Sequence, residues 1–224
     1  MDKDNYLNGF RLTFENAKRL FKAAEYLEER KEFPIANSLL VLSAEEGVKA
    51  YILLIKHLFP KVKFDLFYKF FRDHDLKLNT IQNLVLFFFI FQKIDELFYQ
   101  PMIATNGLTE VEILMTRQLS FQNLIEQLSK EANTNNTDLD KELNWWENAK
   151  NLKEKGFYVE FNEGIWASPN ILNEEKYIET KRYVSSFFIK IEKLKDLNYE
   201  DEEVKRYLKL IETSLIDTLK NKNI

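Results

Sequence analysis

The sequence predicts an all-α protein, a bundle of about six to seven helices with one short extended or β-hairpin segment near residues 157–168. Its 224 residues include only 5 Gly and 4 Pro, too few for the many tight turns of an all-β fold, while a hydrophobic fraction of 45% can fill a sizeable core. Apolar residues recur at steps of three and four along most of the chain, as in amphipathic helices. We therefore expect a single domain over residues 1–224, with a possible flexible linker at the polar stretch 133–140.

The first two helices are predicted to form an antiparallel hairpin. Residues 13–29 place their apolar side chains on one face and their charges on the other. A second helix is expected over residues 34–59, because Pro34 suits a first helical turn and Pro60 lies just beyond its end. A short link joins the two, so we expect them to pack side by side.

This second helix carries charged residues in an otherwise apolar run, LLVLSAEEGVKAYILLIKHLF. At 100° per residue, Ser38, Glu45 and Lys49 share one narrow stripe, whereas Glu46 lies well round from it. The stripe is interpreted either as the one solvated face, with Glu45 and Lys49 as an i,i+4 pair worth about 0.3–0.5 kcal/mol, or as a polar centre inside a packed helix. The spacing alone leaves both interpretations open.

Further helices follow the same apolar periodicity, and the helix expected at residues 139–155 should end at Gly156. They are predicted near residues 66–74, 80–99, 109–132, 139–155, 173–194 and 199–222.

The segment between residues 157 and 168 differs from the rest because apolar and polar residues alternate before the triplet Asn-Glu-Gly. This pattern predicts two short arms joined by a turn in which Gly164 takes a positive φ. We expect Trp166, together with Tyr158, to anchor this flap over the helical core.

Composition excludes several classes of function. A net charge of −4 argues against a generally basic nucleic-acid surface, although it leaves room for a local basic patch. The absence of cysteine excludes disulfides, thiolate zinc sites and cysteine nucleophiles. The longest apolar run, residues 84–91, is far shorter than the roughly 20 residues that a bilayer requires, so no membrane partner is expected. The charged start lacks the apolar core of a signal peptide, which predicts a cytoplasmic location.

The candidate chemistry is limited to acid–base groups. Neither His57 nor His74 belongs to a zinc-binding spacing, and the nucleotide-binding and serine-hydrolase motifs are absent, so we expect no metal and no cofactor. His74 could take the proton of an RNA 2′-hydroxyl while Arg72 stabilises the developing charge. On one continuous helix the two side chains would differ by about 200°, so they converge only if the helix ends near Arg72 or a second copy contributes one of them. Otherwise His74 caps or packs at a helix end.

Three segments, in the same order, resemble the AbiV type of abortive infection proteins. They are ENAKRLFKAAEYLEERKEFPIANSLLVLSAEEGVKAYIL at residues 15–53, DHDLKL at 73–78 and GFYVEFNEGIWASP at 156–169. The resemblance implies a member of the HEPN superfamily of helical bundles, many of which are dimeric ribonucleases in toxin and phage-defence systems. It therefore implies a bacterial protein that blocks phage multiplication at the cost of the infected cell.

HEPN nucleases typically combine an arginine, four to six residues and a histidine with an acidic residue four positions before a lysine. Glu45 and Lys49 match the second spacing, whereas Arg72 and His74 are too close together to match the first. The leading interpretation is therefore a homodimeric antiphage effector that works through protein or RNA contacts, with a phage protein as a possible partner. The alternative is a metal-independent ribonuclease centred on His74 with Arg72. The polar cleft expected from the resemblance is lined by Glu45, Glu46, Lys49, Asp75 and Lys77.

Overall fold

The computed structural model describes residues 3–60, 138–162, 164–169, 172–196, 198–202, 204–205 and 208–209. Within these ranges the elements are α1 (Lys3–Glu28), α2 (Phe33–Leu58), α3 (Asp138–Phe157), β1 (Glu160–Asn162), β2 (Ile165–Ala167) and α4 (Glu174–Lys195). The prediction of an all-α fold with one hairpin near residues 157–168 is confirmed.

Several predictions concern residues outside these ranges. The expected helices near 66–74, 80–99 and 109–132 lie there, as does most of the helix expected at 199–222. Arg72, His74, Asp75 and Lys77 lie there too, so their proposed roles stay predictions.

Contacts divide the chain into two compact units, residues 1–78 with 149–224 and residues 79–148. Of the second unit the structure describes 138–148, where the buried rings of Trp145 and Trp146 meet edge to face at 4.7 Å. The expected single domain over residues 1–224 stays a prediction. Because α3 begins at Asp138, the last three residues of the expected linker are helical.

The first unit is organised around α2, which packs against both α1 and α4. The rings of Phe14 on α1 and Phe188 on α4 pack edge to face with their centroids 5.4 Å apart. The hydroxyl of Ser43 on α2 donates a hydrogen bond of 2.7 Å to the backbone carbonyl of Ala17 on α1. Since α2 is buried on most sides, it is the central helix of this unit.

The helix ends follow local sequence rules with small corrections. Helix α1 begins at Lys3 and not near residue 13, and the buried Phe10 lies on this added N-terminal part. Pro34 lies in the first turn of α2, as expected. The side chain of Asn173 accepts a hydrogen bond from the backbone N–H of Lys176 at 3.1 Å, which caps the start of α4.

The hairpin has the predicted turn, since Gly164 has φ +85° and Phe161 pairs with Trp166 across the strands. The two rings lie 4.6 Å apart. However, Trp166 is 70% exposed and Tyr158 is 65% exposed, so neither side chain packs on the helical core as the sequence predicted. Each strand has only three residues, and the ring of Trp166 contacts that of Phe161 on the same hairpin.

No helix among the described residues combines the length and the apolar character needed to cross a bilayer.

Candidate functional site

Three successive residues, Glu45, Glu46 and Gly47, interrupt the apolar run of α2. Neighbouring residues of a helix point about 100° apart, so three in a row address three directions. In this structure each of them meets a different helix, which explains why an otherwise apolar segment contains this polar triplet.

Glu45 faces α3. Its side chain is 2% exposed, and its Oε1 lies 2.5 Å from Nζ of Lys153, which is itself only 12% exposed. The backbone carbonyl of Lys153 also accepts a hydrogen bond of 2.8 Å from the hydroxyl of Ser38. A buried ion pair tolerates the loss of hydration only when its geometry is good. The two contacts together hold the C-terminal part of α3 against α2.

Gly156 allows this close approach. A Cβ atom at this position would lie 2.0 Å from Oγ of Ser38 and 2.2 Å from the carbonyl oxygen of Pro34. The sequence predicted that Gly156 would end the helix, but α3 continues to Phe157. The absence of a side chain at Gly156 therefore allows α3 to pack closely on α2 and is not needed for a turn.

Glu46 faces α1. Its Oε2 accepts a hydrogen bond of 3.1 Å from Nδ2 of Asn16, and its Oε1 forms an ion pair with Lys49 one turn further along α2. Arg19 donates to Oδ1 of Asn16 at 2.8 Å. The side chains of Glu46 and Lys49 are only partly buried, so this network lies at the surface between α1 and α2.

Gly47 faces α4. A Cβ atom here would lie 2.7 Å from a ring carbon of Phe188 and 3.0 Å from a ring carbon of Phe187. Both rings are buried. The glycine therefore admits two aromatic side chains that any larger residue would displace.

The pairing differs from the i,i+4 contact considered from the sequence. Glu45 pairs with Lys153 and Lys49 pairs with Glu46, so Glu45 and Lys49 do not form the expected pair. The burial of Glu45 agrees with the interpretation of a polar centre in a packed helix. Sequence reasoning missed Lys153, which is 108 positions away, and it quoted Asn16 only as part of a motif.

A second polar cluster joins the end of α1 to α4. The carboxylate of Glu28 accepts hydrogen bonds from Tyr177 at 2.9 Å and from Lys181 at 2.7 Å. Burial raises the pKa of Glu28, but the hydrogen bonds from Lys181 and Tyr177 outweigh it and leave that pKa below its ordinary value. Burial, followed by the neighbouring Glu28, raises the pKa of Tyr177. This cluster stabilises the packing of the two helices, and no motif predicted it.

The described residues contain no group of three or more His, Asp or Glu placed to hold a metal ion. His57 lies in the last turn of α2, where it is partly exposed. Of the residues predicted to line a polar cleft, the structure brings Glu46 and Lys49 together and turns Glu45 inward.

A family model described as AbiV, of the HEPN type, matches residues 5–186. The match spans well over half of the chain, and it includes most of α1, all of α2, the hairpin and both charged contacts of α2. No curated protein and no solved structure matches the chain significantly.

Proposed function

The chain belongs to the AbiV family of HEPN proteins, and from this premise we propose that it is a bacterial antiphage effector that acts by abortive infection. Membership of the family indicates a role of this kind. In our proposal the protein works in the cytoplasm as a homodimer and blocks phage multiplication through contacts with protein or RNA. The observation that carries the proposal is the family match over residues 5–186.

The surroundings of Glu45 favour a mode of action by contact. A general acid or base must come within hydrogen-bonding distance of the group on which it acts. Glu45 is 2% exposed, and its Oε1 is directed at Lys153 of the same chain. We therefore assign Glu45 to holding α3 on α2, a structural role.

A partner can reach Glu46 and Lys49, because the side chains of both residues remain partly exposed. They offer one carboxylate and one ammonium at the surface between α1 and α2. A phage protein with complementary charges would suit this small polar surface better than an extended RNA backbone, which requires several cations.

The alternative, a metal-independent ribonuclease centred on His74 with Arg72, stays a prediction. It differs from the leading proposal in one measurable respect, because it requires His74 for protection, and it requires RNA to be cleaved after infection.

The test is phage plating on cells that produce the wild-type protein, His74→Ala, His57→Ala or no protein. We expect the wild type to reduce plaque numbers. We also expect its cultures to survive infection when phage are scarce and to collapse when phage outnumber cells, as abortive infection requires. His57→Ala is the matched control, since it removes the other histidine of the chain.

Under the leading proposal both histidine variants protect, and cellular and phage RNA stay intact. If only His74→Ala loses protection while its fold is retained, and wild-type cells show cleaved RNA, the ribonuclease alternative is correct. Equal plaque numbers with and without the wild-type protein would overturn the proposed antiphage function.

A further inference from the structure

The hairpin exposes apolar side chains on both of its faces. Phe161 and Trp166 share one face, and Ile165, which is 72% exposed, points to the other because successive strand residues alternate. A two-stranded hairpin alone in water is marginally stable. An arrangement of this kind gains stability when another surface covers it.

The exposed area is large for so short a segment. Six large apolar side chains are between 36% and 72% exposed, namely Phe157, Tyr158, Val159, Phe161, Ile165 and Trp166. If an aromatic side chain offers about 150–250 Å², the six together expose roughly 600 Å². This area is divided between the two faces of the hairpin, and the sum is somewhat below the roughly 800 Å² that each partner contributes to a stable interface.

The outer edge of β2 lacks the usual protection. Natural edge strands carry charges or proline that prevent pairing with another chain. The three residues of β2, Ile-Trp-Ala at 165–167, contain no charge, whereas β1 contains Glu160. Within the described part of the chain, the two strands pair only with each other. No other described strand pairs with the outer side of β2, where a further strand could be added.

The charge of the hairpin distinguishes a nucleic acid from a protein as its partner. Residues 157–168 contain two glutamates and no basic residue, so they repel the phosphates of a nucleic acid. An apolar, charge-free strand edge instead suits a protein strand of the same kind.

We propose that the β2 edge and the apolar patch of the hairpin pair with the same elements of a second copy of this chain. A two-fold interface requires one self-complementary surface, and an uncharged strand edge can pair with itself in antiparallel fashion. The two hairpins would form a four-stranded sheet with the two β1 strands at its outer edges. This inference rests on the homodimer of the proposed function and assigns the surface that forms it.

The test compares the molar mass of the wild type with two hairpin variants by size-exclusion chromatography with light scattering. Ile165→Lys places a charge on the open edge, and Trp166→Ala removes the largest exposed ring. Ile178→Lys is the matched control, because it introduces the same charge at another exposed isoleucine, 54% exposed on α4. We expect dimers for the wild type and the control, and a dimer dissociation constant raised by roughly tenfold or more in both hairpin variants.

Circular dichroism checks that each variant is folded, which is expected since the replaced side chains are exposed. A second measurement uses the absence of cysteine from the chain. In a fully paired two-fold sheet, residue 165 faces residue 167 of the second copy, so a mixture of Ile165→Cys and Ala167→Cys chains should form a covalent dimer under oxidation. A mixture of Ile178→Cys and Ala167→Cys chains should not, because a disulfide requires Cβ atoms about 3.5–4.5 Å apart.

Hairpin variants that dimerise as well as the wild type, with no cross-link through position 165, would overturn the hairpin interface and leave a homodimer formed elsewhere. A monomeric wild type at micromolar concentration would overturn the homodimer and this inference together. Neither result affects the antiphage activity, which plaque counts measure separately.

Discussion

Lys153→Met tests the contact between α2 and α3 most directly. The substitution keeps a long apolar side chain but removes the ammonium that lies 2.5 Å from Oε1 of Glu45. Because Glu45 is 2% exposed, its carboxylate is then left in the interior without this cation. The perturbation is therefore electrostatic, with little change in packing volume.

The expected magnitude follows from burial. Removing one partner of a buried ion pair costs about 3–5 kcal/mol in free energy of unfolding. Lys153 retains some access to solvent, with 12% exposure, so we expect a loss of about 3 kcal/mol, near the lower limit. The matched control is Lys49→Met, which breaks the partly exposed pair with Glu46 and should cost under about 1 kcal/mol.

Urea denaturation followed by circular dichroism measures both losses. The double variant Glu45→Leu/Lys153→Met should recover to within about 1 kcal/mol of the wild type, because an apolar pair replaces both charges. Equal midpoints for Lys153→Met and Lys49→Met would refute the reasoning, since the contact between Glu45 and Lys153 would then have no structural value.

Three further predictions concern packing and pH. Gly47→Ala should destabilise the protein by about 1–2 kcal/mol despite the better helix propensity of alanine, because its Cβ would meet the two α4 rings. Gly9→Ala, whose Cβ would have only ordinary contacts from 3.4 Å, should instead stabilise it by about 0.5–1 kcal/mol, and a loss there would contradict the packing argument. Gly156→Ala should cost about 2–4 kcal/mol, as judged by thermal melting, because its Cβ would collide with a backbone carbonyl of α2. For Glu28, whose pKa is lowered in the folded state, stability is present above the ordinary carboxyl pKa of 4.5 and is lost as pH falls through the lowered folded value. Glu28→Gln should therefore be less stable than the wild type at neutral pH, and the difference in free energy of unfolding should shrink below pH 4.5. A difference that does not depend on pH would show that the contact with Lys181 does not act through charge.

The course of α2 could be predicted because its determinants are local. Pro34 and Pro60 bracket the helix, and the 100° step correctly placed Ser38 and Glu45 on one side. The partner of Glu45 could not be predicted, because Lys153 is distant in sequence. Nothing in the sequence of α3 distinguishes Lys153 from a surface lysine. Which of several lysines meets a buried carboxylate depends on how the helices pack, and periodicity carries no information on this.

The hairpin shows a similar division. Alternation and Gly164 predicted the strands and the turn, because both depend on a few neighbouring residues. The exposure of Trp166 was not foreseen, since a tryptophan in a short aromatic segment usually packs against its own core. A pattern in one chain indicates that a side chain seeks an apolar surface, but it does not say which chain supplies that surface.

We propose that this AbiV-family protein stops phage multiplication and that Glu45 serves its fold and not its chemistry. Plaque counts on cells that produce the wild type, the Glu45→Leu/Lys153→Met double variant or no protein test both parts in one measurement. We expect the double variant, once urea denaturation shows it to be folded, to lower plaque numbers as strongly as the wild type. A folded double variant that no longer protects, or a wild type that leaves plaque numbers unchanged, would contradict it.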